Sequence, residues 1–193
     1  MLFMERCSWC LGDELYEKYH DEEWGVAVRE DKELFEFLIL EGAQAGLSWI
    51  TILKKRESYR EAFDSFDFEK VALYGEDDIQ RLMGDEGIIR NRLKILSAIG
   101  NARVFVEIRS EFGSFSKYLW GFVGGETVIG SSTDITLVSP DGSLVESELS
   151  REISRDLKRR GMKFVGPVII YAYLEAVGVL CNHEVGCAKF KKF

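Results

Sequence analysis

Two pairs of potential metal ligands stand at opposite ends of the sequence. Cys7 and His20 lie near the first residue, and His183 and Cys187, four positions apart, lie near the last. Two thiolates and two imidazoles are a common ligand set for tetrahedral Zn²⁺. Because four protein ligands leave no position for water, such a zinc would be structural and would tie the two ends of the chain together.

Two further cysteines leave this ligand set open. Cys10 and Cys181 lie beside the same pairs and are rival ligands, and a site made of four cysteines is also conceivable. The thiols could instead be buried and unligated, as free cysteines often are. The only two histidines of the chain lie beside the cysteines, and this placement favours a metal.

Aromatic residues concentrate in the N-terminal region. The members of this aromatic cluster are Trp9, Tyr16, Tyr19 and Trp24, joined later in the chain by Trp49. An enzyme that acts on a nucleobase flips the base out of the duplex and stacks it between rings. A cationic alkylated base gains a further attraction to the ring faces. Ordinary core packing is the alternative for each ring taken alone.

One acidic residue could complete a base-binding site. Glu41 ends an apolar helical pattern in LEGAQAGLSW, where it is either a surface residue or a buried acceptor for the exocyclic amine of adenine. Gly46 would let the backbone approach a ligand closely. Leu47 could enter the duplex as an apolar wedge.

The elements that must position these residues are mostly helical by their hydrophobic periodicity. β-branched runs on both sides of the turn residues 139–142 predict a small β-hairpin near 128–146. The fold class is therefore mostly α, in one domain over residues 1–193 without internal repeats. Asp31 is predicted to cap one helix, and Ser48 to cap a second helix that extends to Phe63. Further helices are predicted at 68–73 with Asp67 as cap, at 76–84, from about Asn91, and at 115–123, 148–160 and 167–177.

The segment between the helices at 76–84 and 91 offers a phosphate-binding hairpin. It contains Gly87, and a helical hairpin presents backbone N–H groups and a helix N-terminus to an anion. The cations Arg90, Arg92 and Lys94 lie beside it. The net charge of −8 argues against a nucleic-acid partner, but backbone contacts need little positive charge. A plain helix–turn–helix corner is the alternative.

Composition excludes several classes of protein. With 193 residues, 46% hydrophobic and 30% charged, the chain is long and apolar enough to fold around a core. No apolar run approaches the roughly 20 residues that span a bilayer, and residues 1–10 do not form a secretory signal. We therefore expect a cytoplasmic protein without a membrane partner.

The order of these segments resembles the DNA-3-methyladenine glycosylase I family. The resemblance covers most of the chain in register, whereas residues 124–147 depart from the family pattern. The matching segments are ERCSW at 5–9, YHDEEWG at 19–25, LEGAQAGLSWITILKKRESYREAF at 40–63, GIIRNRLKI at 87–95, SREISRDLKRRGMKFVGP at 150–167 and HEVGC at 183–187.

The resemblance implies a helix–hairpin–helix glycosylase fold, with segments 1–30 and 165–193 forming a zinc-tied lobe. It implies a structural zinc on Cys7, His20, His183 and Cys187, and a pocket in which Glu41 and the aromatic cluster hold the base. Gly46 and Leu47 would fill the gap left by the flipped nucleotide. The Gly87 hairpin, with Arg90, Arg92 and Lys94, would bind double-stranded DNA that contains alkylated bases. The protein would act as a monomer.

The family is monofunctional and hydrolyses the N-glycosidic bond of 3-methyladenine, which leaves an abasic site. It lacks the catalytic aspartate of its superfamily, and VFVEIRSEFGS at 104–114 likewise has Glu107 and Glu111 but no aspartate. Methylation at N3 makes adenine cationic, so it departs as a neutral leaving group. Glu41, buried yet ionised beside the cation, would then select the damaged base.

Three other functions remain open from the sequence. The first is a non-catalytic, zinc-stabilised protein that binds damaged DNA or a nucleobase. The second is a bifunctional glycosylase and lyase that uses Lys54 or Lys94 as its nucleophile. The third is a zinc hydrolase, which the closed ligand set and the absence of an HExxH motif disfavour.

Overall fold

The computed structural model describes residues 6–129, 135–138 and 144–190 and contains, within these, ten α-helices. This confirms the mostly α fold class. The helices in the described ranges include none that is long and apolar enough to cross a membrane. Their bounds are α1 Glu14–Glu22, α2 Asp31–Gln44, α3 Trp49–Leu53, α4 Arg56–Ala62, α5 Phe68–Ala72, α6 Glu76–Gly84, α7 Arg92–Phe112, α8 Phe115–Gly121, α9 Glu148–Arg159 and α10 Pro167–Ala176.

Short strands form two small sheets. β2 (Ile135–Val138) pairs antiparallel with β3 (Leu144–Ser147), which confirms antiparallel strands within the predicted hairpin region, although the pairing begins at 135 and not near 128. Its predicted turn at 139–142 lies outside the described residues. β1 (Val128–Ile129) pairs in parallel with β4 (Leu180–Cys181). The sequence did not predict this second pairing, because its strands are two residues long and distant along the chain.

Helix α2 is the centre of the molecule. Every residue from 34 to 43 is buried, so the helix is enclosed on all sides by its neighbours. Helices α3, α7, α8 and α10 all contact it. Two acidic residues lie within this buried stretch. Glu36 pairs with Arg56 and Arg60 at 2.5 and 2.7 Å, and Glu41 is the second.

Two helix starts differ from the prediction. Asp31 is the first residue of α2 and not its cap. Its carboxylate instead accepts from the backbone N–H groups of Phe115 and Ser116, at 3.1 and 2.8 Å, and so caps α8. The helix predicted from Ser48 to Phe63 is divided into α3 and α4. Periodicity along the chain does not reveal a cap whose helix begins more than eighty residues away.

The cap predicted at Asp67 is confirmed, and Asn91, near which a helix was predicted to begin, is also an N-cap. The Asp67 side chain accepts from the Lys70 N–H at 3.2 Å. The Asn91 side chain accepts from two N–H groups in the first turn of α7, those of Leu93 and Lys94, at 3.0 and 3.2 Å. Both are local contacts of the kind that satisfies the unpaired donors at a helix N-terminus.

The N-terminal segment lies directly on the C-terminal end of α10. Gly25 N–H donates to the Glu175 carbonyl at 3.1 Å, and Val28 N–H to the Val177 carbonyl at 3.0 Å. Gly178 has a φ of +70°, and a Cβ there would lie 2.5 Å from the backbone of Val26. Only glycine allows this approach, so backbone contacts join the two ends of the chain independently of any metal.

Candidate active site and metal centre

The four terminal ligands predicted from the sequence lie together and are buried. Their ligand atoms are all within 4.8 Å of one another. Cys187 Sγ lies 3.5 Å from His20 Nε2 and 3.6 Å from His183 Nδ1, and Cys7 Sγ lies 3.6 Å from His183 Nδ1. Zinc bond lengths of about 2.3 Å to sulfur and about 2.0 Å to nitrogen separate two such ligands by about 3.5 Å. The donor set therefore fits tetrahedral Zn²⁺.

Surrounding groups orient these ligands. His20 lies on α1, and its Nδ1 is 2.9 Å from Asp21 Oδ1, so that Nε2 faces the cysteines. Glu184 N–H donates to Cys7 Sγ at 3.3 Å, and Lys189 N–H donates to Cys187 Sγ at 3.4 Å. Backbone donors of this kind stabilise thiolates, and a carboxylate behind a histidine is the usual support of a metal ligand.

The rival cysteines lie outside this group. The Cys10 thiol donates to the Cys7 carbonyl at 3.1 Å, and Cys181 is buried in β4. Burial raises the pKa of the Cys7 thiol to about 12. A thiolate at that position therefore requires a nearby cation, which a metal would supply.

The five aromatic residues form one connected cluster. The Trp9 ring is central, with centroid distances of 4.9 Å to Tyr16, 5.0 Å to Trp24 and 6.5 Å to Tyr19. Tyr19 in turn lies 5.5 Å from Trp49. These contacts are edge-to-face or tilted, so the rings of the cluster do not cover one another's faces by parallel stacking. The cluster adjoins the metal ligands, because the Trp24 ring lies 4.7 Å from His183.

Glu41 faces this cluster from α2. It is only 4% exposed, and its charge contributes to raising the pKa of Tyr16 and Tyr19, for which burial is the larger cause. Among the described residues, two buried side-chain atoms lack a hydrogen-bond partner, Glu41 Oε2 and Trp49 Nε1. Each unpaired group costs about 1–3 kcal/mol. Glu41 Oε2 and the Trp49 N–H are therefore both available to form hydrogen bonds with a ligand beside the aromatic rings.

The protonation state of Glu41 depends on what is bound. Burial raises its pKa well above the ordinary value, and the nearby Glu175 carboxylate raises it further. Burial therefore favours the neutral form of Glu41 when no cation is present. The ionised carboxylate predicted from the sequence requires a cation above it, which would reverse the preference.

Glu175 is a site residue that the sequence analysis missed. It lies on α10, accepts a hydrogen bond from Asn182 Nδ2 at 2.9 Å, and is also bonded to the Tyr171 hydroxyl. Burial raises its pKa to about 7, against the lowering effect of these bonds. An acidic residue inside the apolar stretch PVIIYAYLEA was the available signal, but its proximity to Glu41 depends on the packing of α10 against α2.

Glu175 should give the protein a pH-dependent stability. The unfolded chain releases this proton near its ordinary pKa of about 4.3, whereas the folded chain keeps it to about 7, so stability falls as the pH rises between those values. Glu175→Gln removes this loss and should be more stable than the parent by up to about 3 kcal/mol at pH 8. Urea unfolding of both proteins from pH 5 to 8 measures the difference. If the free energies of unfolding of the two proteins changed equally with pH over that range, the expected proton linkage would be contradicted.

The hairpin between α6 and α7 is fastened to α4. Lys55 Nζ donates to the carbonyls of Glu86 and Gly87 at 2.9 and 3.2 Å, and Ile89 N–H donates to the Tyr59 hydroxyl at 3.2 Å. A Cβ on Gly87 would lie 2.6 Å from Ser58 Cβ. Packing against α4 therefore requires glycine at this position of the hairpin.

The predicted DNA contacts divide into exposed and internal groups. Arg90 and Arg92 are about half exposed and pair with Glu86 and Glu76 at 3.5 and 3.1 Å. Surface pairs of this kind are weak and exchange readily. Leu47 is 41% exposed on the same loop as Gly46, whose φ is +79°. Lys94 differs, because its ammonium group is bonded within the protein.

Residues 9–191 match the model of the family described as methyladenine glycosylase. The chain belongs to the methyladenine glycosylase family. It is 45% identical to DNA-3-methyladenine glycosylase 1 of Escherichia coli strain K12 over 184 residues, which cover 95% of this chain and 96% of that protein.

Other members of the family agree over the same length. The DNA-3-methyladenine glycosylase of Haemophilus influenzae is 38% identical over 182 residues, covering 94% of this chain and 96% of that protein. A structure of 3-methyladenine DNA glycosylase I from Staphylococcus aureus, solved to explain 3-methyladenine recognition, is 37% identical with a TM-score of 0.88. It matches 98% of each chain. The fold and the family membership therefore extend over nearly the whole protein.

Proposed function

We propose that this protein is a monofunctional DNA glycosylase of base excision repair. It hydrolyses the N-glycosidic bond of 3-methyladenine in alkylated double-stranded DNA and leaves an abasic site. Glu41 is the catalytic acidic residue, and Trp9, Tyr16, Tyr19, Trp24 and Trp49 bind the base.

The observation that carries this proposal is the unpaired Glu41 Oε2 and Trp49 Nε1 beside the aromatic cluster. A flipped adenine offers both donors and acceptors at its edge, and its ring can stack against the cluster. The methylated base is cationic, so it favours the ionised form of Glu41 and gains attraction to the ring faces. Normal adenine is neutral, so it neither favours the ionised form of Glu41 nor gains the attraction of a cation to the ring faces.

The reaction needs little from the protein beyond binding and electrostatics. Because the base is already positively charged, cleavage of its bond to the sugar releases it as a neutral molecule. Water then adds to the positively charged sugar carbon and loses a proton, which gives the abasic site. The Glu41 carboxylate and the aromatic faces stabilise the positive charge that remains on the sugar and base as the bond breaks. Glu107 is exposed and lies in the segment where most of the superfamily carries its catalytic aspartate, and it then has no role in the reaction.

Zn²⁺ would bind to Cys7, His20, His183 and Cys187. When bound, it supplies a structural cross-link between α1 and the C-terminal segment and no reacting water, because the four ligands complete its coordination. This cross-link holds Trp9 and Trp24 of the aromatic cluster against His20 and His183. The whole chain forms one domain, 1–193, in which segments 1–30 and 165–193 make the metal-tied lobe.

DNA is held by the α6–α7 hairpin in the manner of a helix–hairpin–helix motif. Gly87, Arg90 and Arg92 lie on this hairpin, and Leu47, with Gly46, enters the duplex as the base leaves it. On this hairpin, two arginines and backbone N–H groups would bind phosphate. Such binding needs little positive charge and is compatible with the net charge of −8. We keep monomeric action and a cytoplasmic location as predictions.

Substituting Gly87 tests the hairpin. Gly87→Ala should weaken binding to undamaged duplex DNA by about tenfold, because the new Cβ would displace the loop from Ser58. Fluorescence anisotropy with labelled duplex measures the affinity. Gly84→Ala is the matched control, since a Cβ there meets no atom within 4 Å. Ser58→Gly should restore part of the loss in the double variant, and equal affinities of Gly87→Ala and parent would exclude the hairpin from DNA binding.

The activity itself is tested with methylated duplex DNA. Incubation should release 3-methyladenine, identified by chromatography, and leave abasic sites that are cleaved only after alkali treatment. Borohydride should trap no covalent adduct, since Lys54 is an exposed cation and not a desolvated amine, and the Lys94 ammonium group is bonded to backbone carbonyls. Binding without release of base would instead support the non-catalytic alternative, and a trapped adduct would support the lyase.

A further inference from the structure

Lys94 lies at the junction of the two parts that must cooperate on DNA. It is in the first turn of α7, directly after the hairpin, and its Nζ donates to the carbonyls of Ala43 and Ala45 at 2.7 and 2.8 Å. These carbonyls end α2, the helix that carries Glu41. One side chain therefore connects the hairpin with the end of the central helix.

The end of α2 needs such a donor. The last carbonyls of a helix have no partner within the helix, and α2 ends in a loop that turns at once. Leu47 N–H donates to the Gln44 carbonyl at 2.6 Å. Lys94 donates to the carbonyls on either side of it, those of Ala43 and Ala45. A cation at a helix C-terminus also interacts favourably with the helix dipole.

The loop that follows α2 has little other support. Gly46 has a φ of +79°, and a Cβ there would meet no atom within 4 Å. Leu47 is 41% exposed. The Ser48 hydroxyl is bonded to Thr51, 2.7 Å away, and not to the preceding residues. The conformation of the wedge loop, residues 45–48, thus depends strongly on the contacts made by Lys94.

We infer that Lys94 is a positioning residue, which fixes the wedge loop and Glu41 relative to the hairpin, and that it does not bind a DNA phosphate. This inference rests on the proposed function. Two of the three ammonium protons are committed to carbonyls, and the side chain is half-buried. Burial also lowers the pKa of Lys94, as expected for an ammonium group removed from water.

The role follows from the geometry of base flipping. The hairpin holds the backbone while the base enters the pocket and Leu47 fills the gap. The separation between these parts must therefore be fixed, and misplacement by about 1 Å can reduce a rate about a hundredfold. The two hydrogen bonds of Lys94 connect these parts and so limit their separation.

Lys94→Met tests the inference, because it keeps the apolar stem and removes the donors. Single-turnover release of 3-methyladenine from duplex DNA should fall about tenfold to a hundredfold, while affinity for the free base stays within about twofold of the parent. The dependence of undamaged-DNA affinity on salt should be unchanged. Arg90→Met is the matched comparison, since loss of a phosphate contact should reduce the salt slope by about 1. Lys54→Met, an exposed cation paired with Asp13, should change none of these values.

Two further variants separate positioning from general loss of folding. Lys94→Arg retains cationic donors and should recover most of the excision rate. Gly46→Ala strains the backbone of the same wedge loop at a left-handed position. Its effect on the excision rate should not add to that of Lys94→Met, because both substitutions disturb this loop. Circular dichroism and thermal unfolding establish that each variant is folded.

Three results would overturn the inference. They are a salt slope of Lys94→Met reduced as in Arg90→Met, an excision rate equal to the parent, or equal losses of excision and free-base binding. A parent protein that releases no 3-methyladenine would refute the proposed function instead. The salt slopes would still decide whether Lys94 contacts phosphate.

Discussion

Glu41→Gln is expected to reduce the rate of 3-methyladenine excision by about one to two orders of magnitude, because a hydrogen bond to a charged group contributes about 1.5–3 kcal/mol. Glutamine matches the shape of the acid but cannot become an anion beside the cationic base. Loss should be incomplete, since the leaving group is already activated. Single-turnover release of base from methylated duplex DNA measures the rate, and titration with free 3-methyladenine measures the accompanying loss of affinity.

The stability of this variant distinguishes a catalytic role from a structural one. Glu41 is a buried acid with a raised pKa and an unpaired oxygen, so its replacement should not lower the free energy of unfolding at pH 8. Glu107→Gln, an exposed acid on α7, is the control and should excise at the parental rate. If Glu41→Gln excises and binds as well as the parent, the pocket acid lies elsewhere.

Loss of the metal is expected to have the largest effect on stability. Purified protein should contain one zinc per chain, and Cys187→Ser should contain none and unfold at least about 10 °C lower. This corresponds to roughly 4 kcal/mol, because about 1 kcal/mol shifts the melting temperature of a chain of this size by about 2–4 °C. Elemental analysis and calorimetry measure the two quantities. A chelator should lower the melting temperature of the parent in the same way.

The matched control uses the neighbouring cysteine. Cys10→Ser removes a buried thiol that lies outside the ligand group and keeps a donor for the Cys7 carbonyl. It should retain zinc and melt close to the parent. Zinc retained by Cys187→Ser but lost from Cys10→Ser would reverse the ligand assignment.

The sequence by itself determined the parts whose signals are local. The spacing of apolar residues indicated the helical elements, and the cap at Asp67 followed from a side chain that bonds to a backbone donor three residues away. Side-chain chemistry also identified the candidate site residues, because thiols, imidazoles and clustered aromatic residues can be recognised in the sequence. The order of the matching segments then indicated the family.

The tertiary structure decided which candidates meet. The choice of Cys7 and Cys187 over Cys10 and Cys181 depends on distances across more than 160 residues of chain. No local pattern encodes them, since they follow from the packing of the N-terminal segment on α10.

The same reason explains the residues whose roles changed. Asp31 precedes an apolar pattern as a cap would, yet it caps α8, which packs against α2. Lys94 belongs to a basic stretch, yet its ammonium group bonds to the end of α2. Glu175 belongs to an apolar helix, yet it lies behind Glu41 and raises its pKa. A charged side chain is defined by the groups it reaches, and only the packing of distant helices supplies those groups.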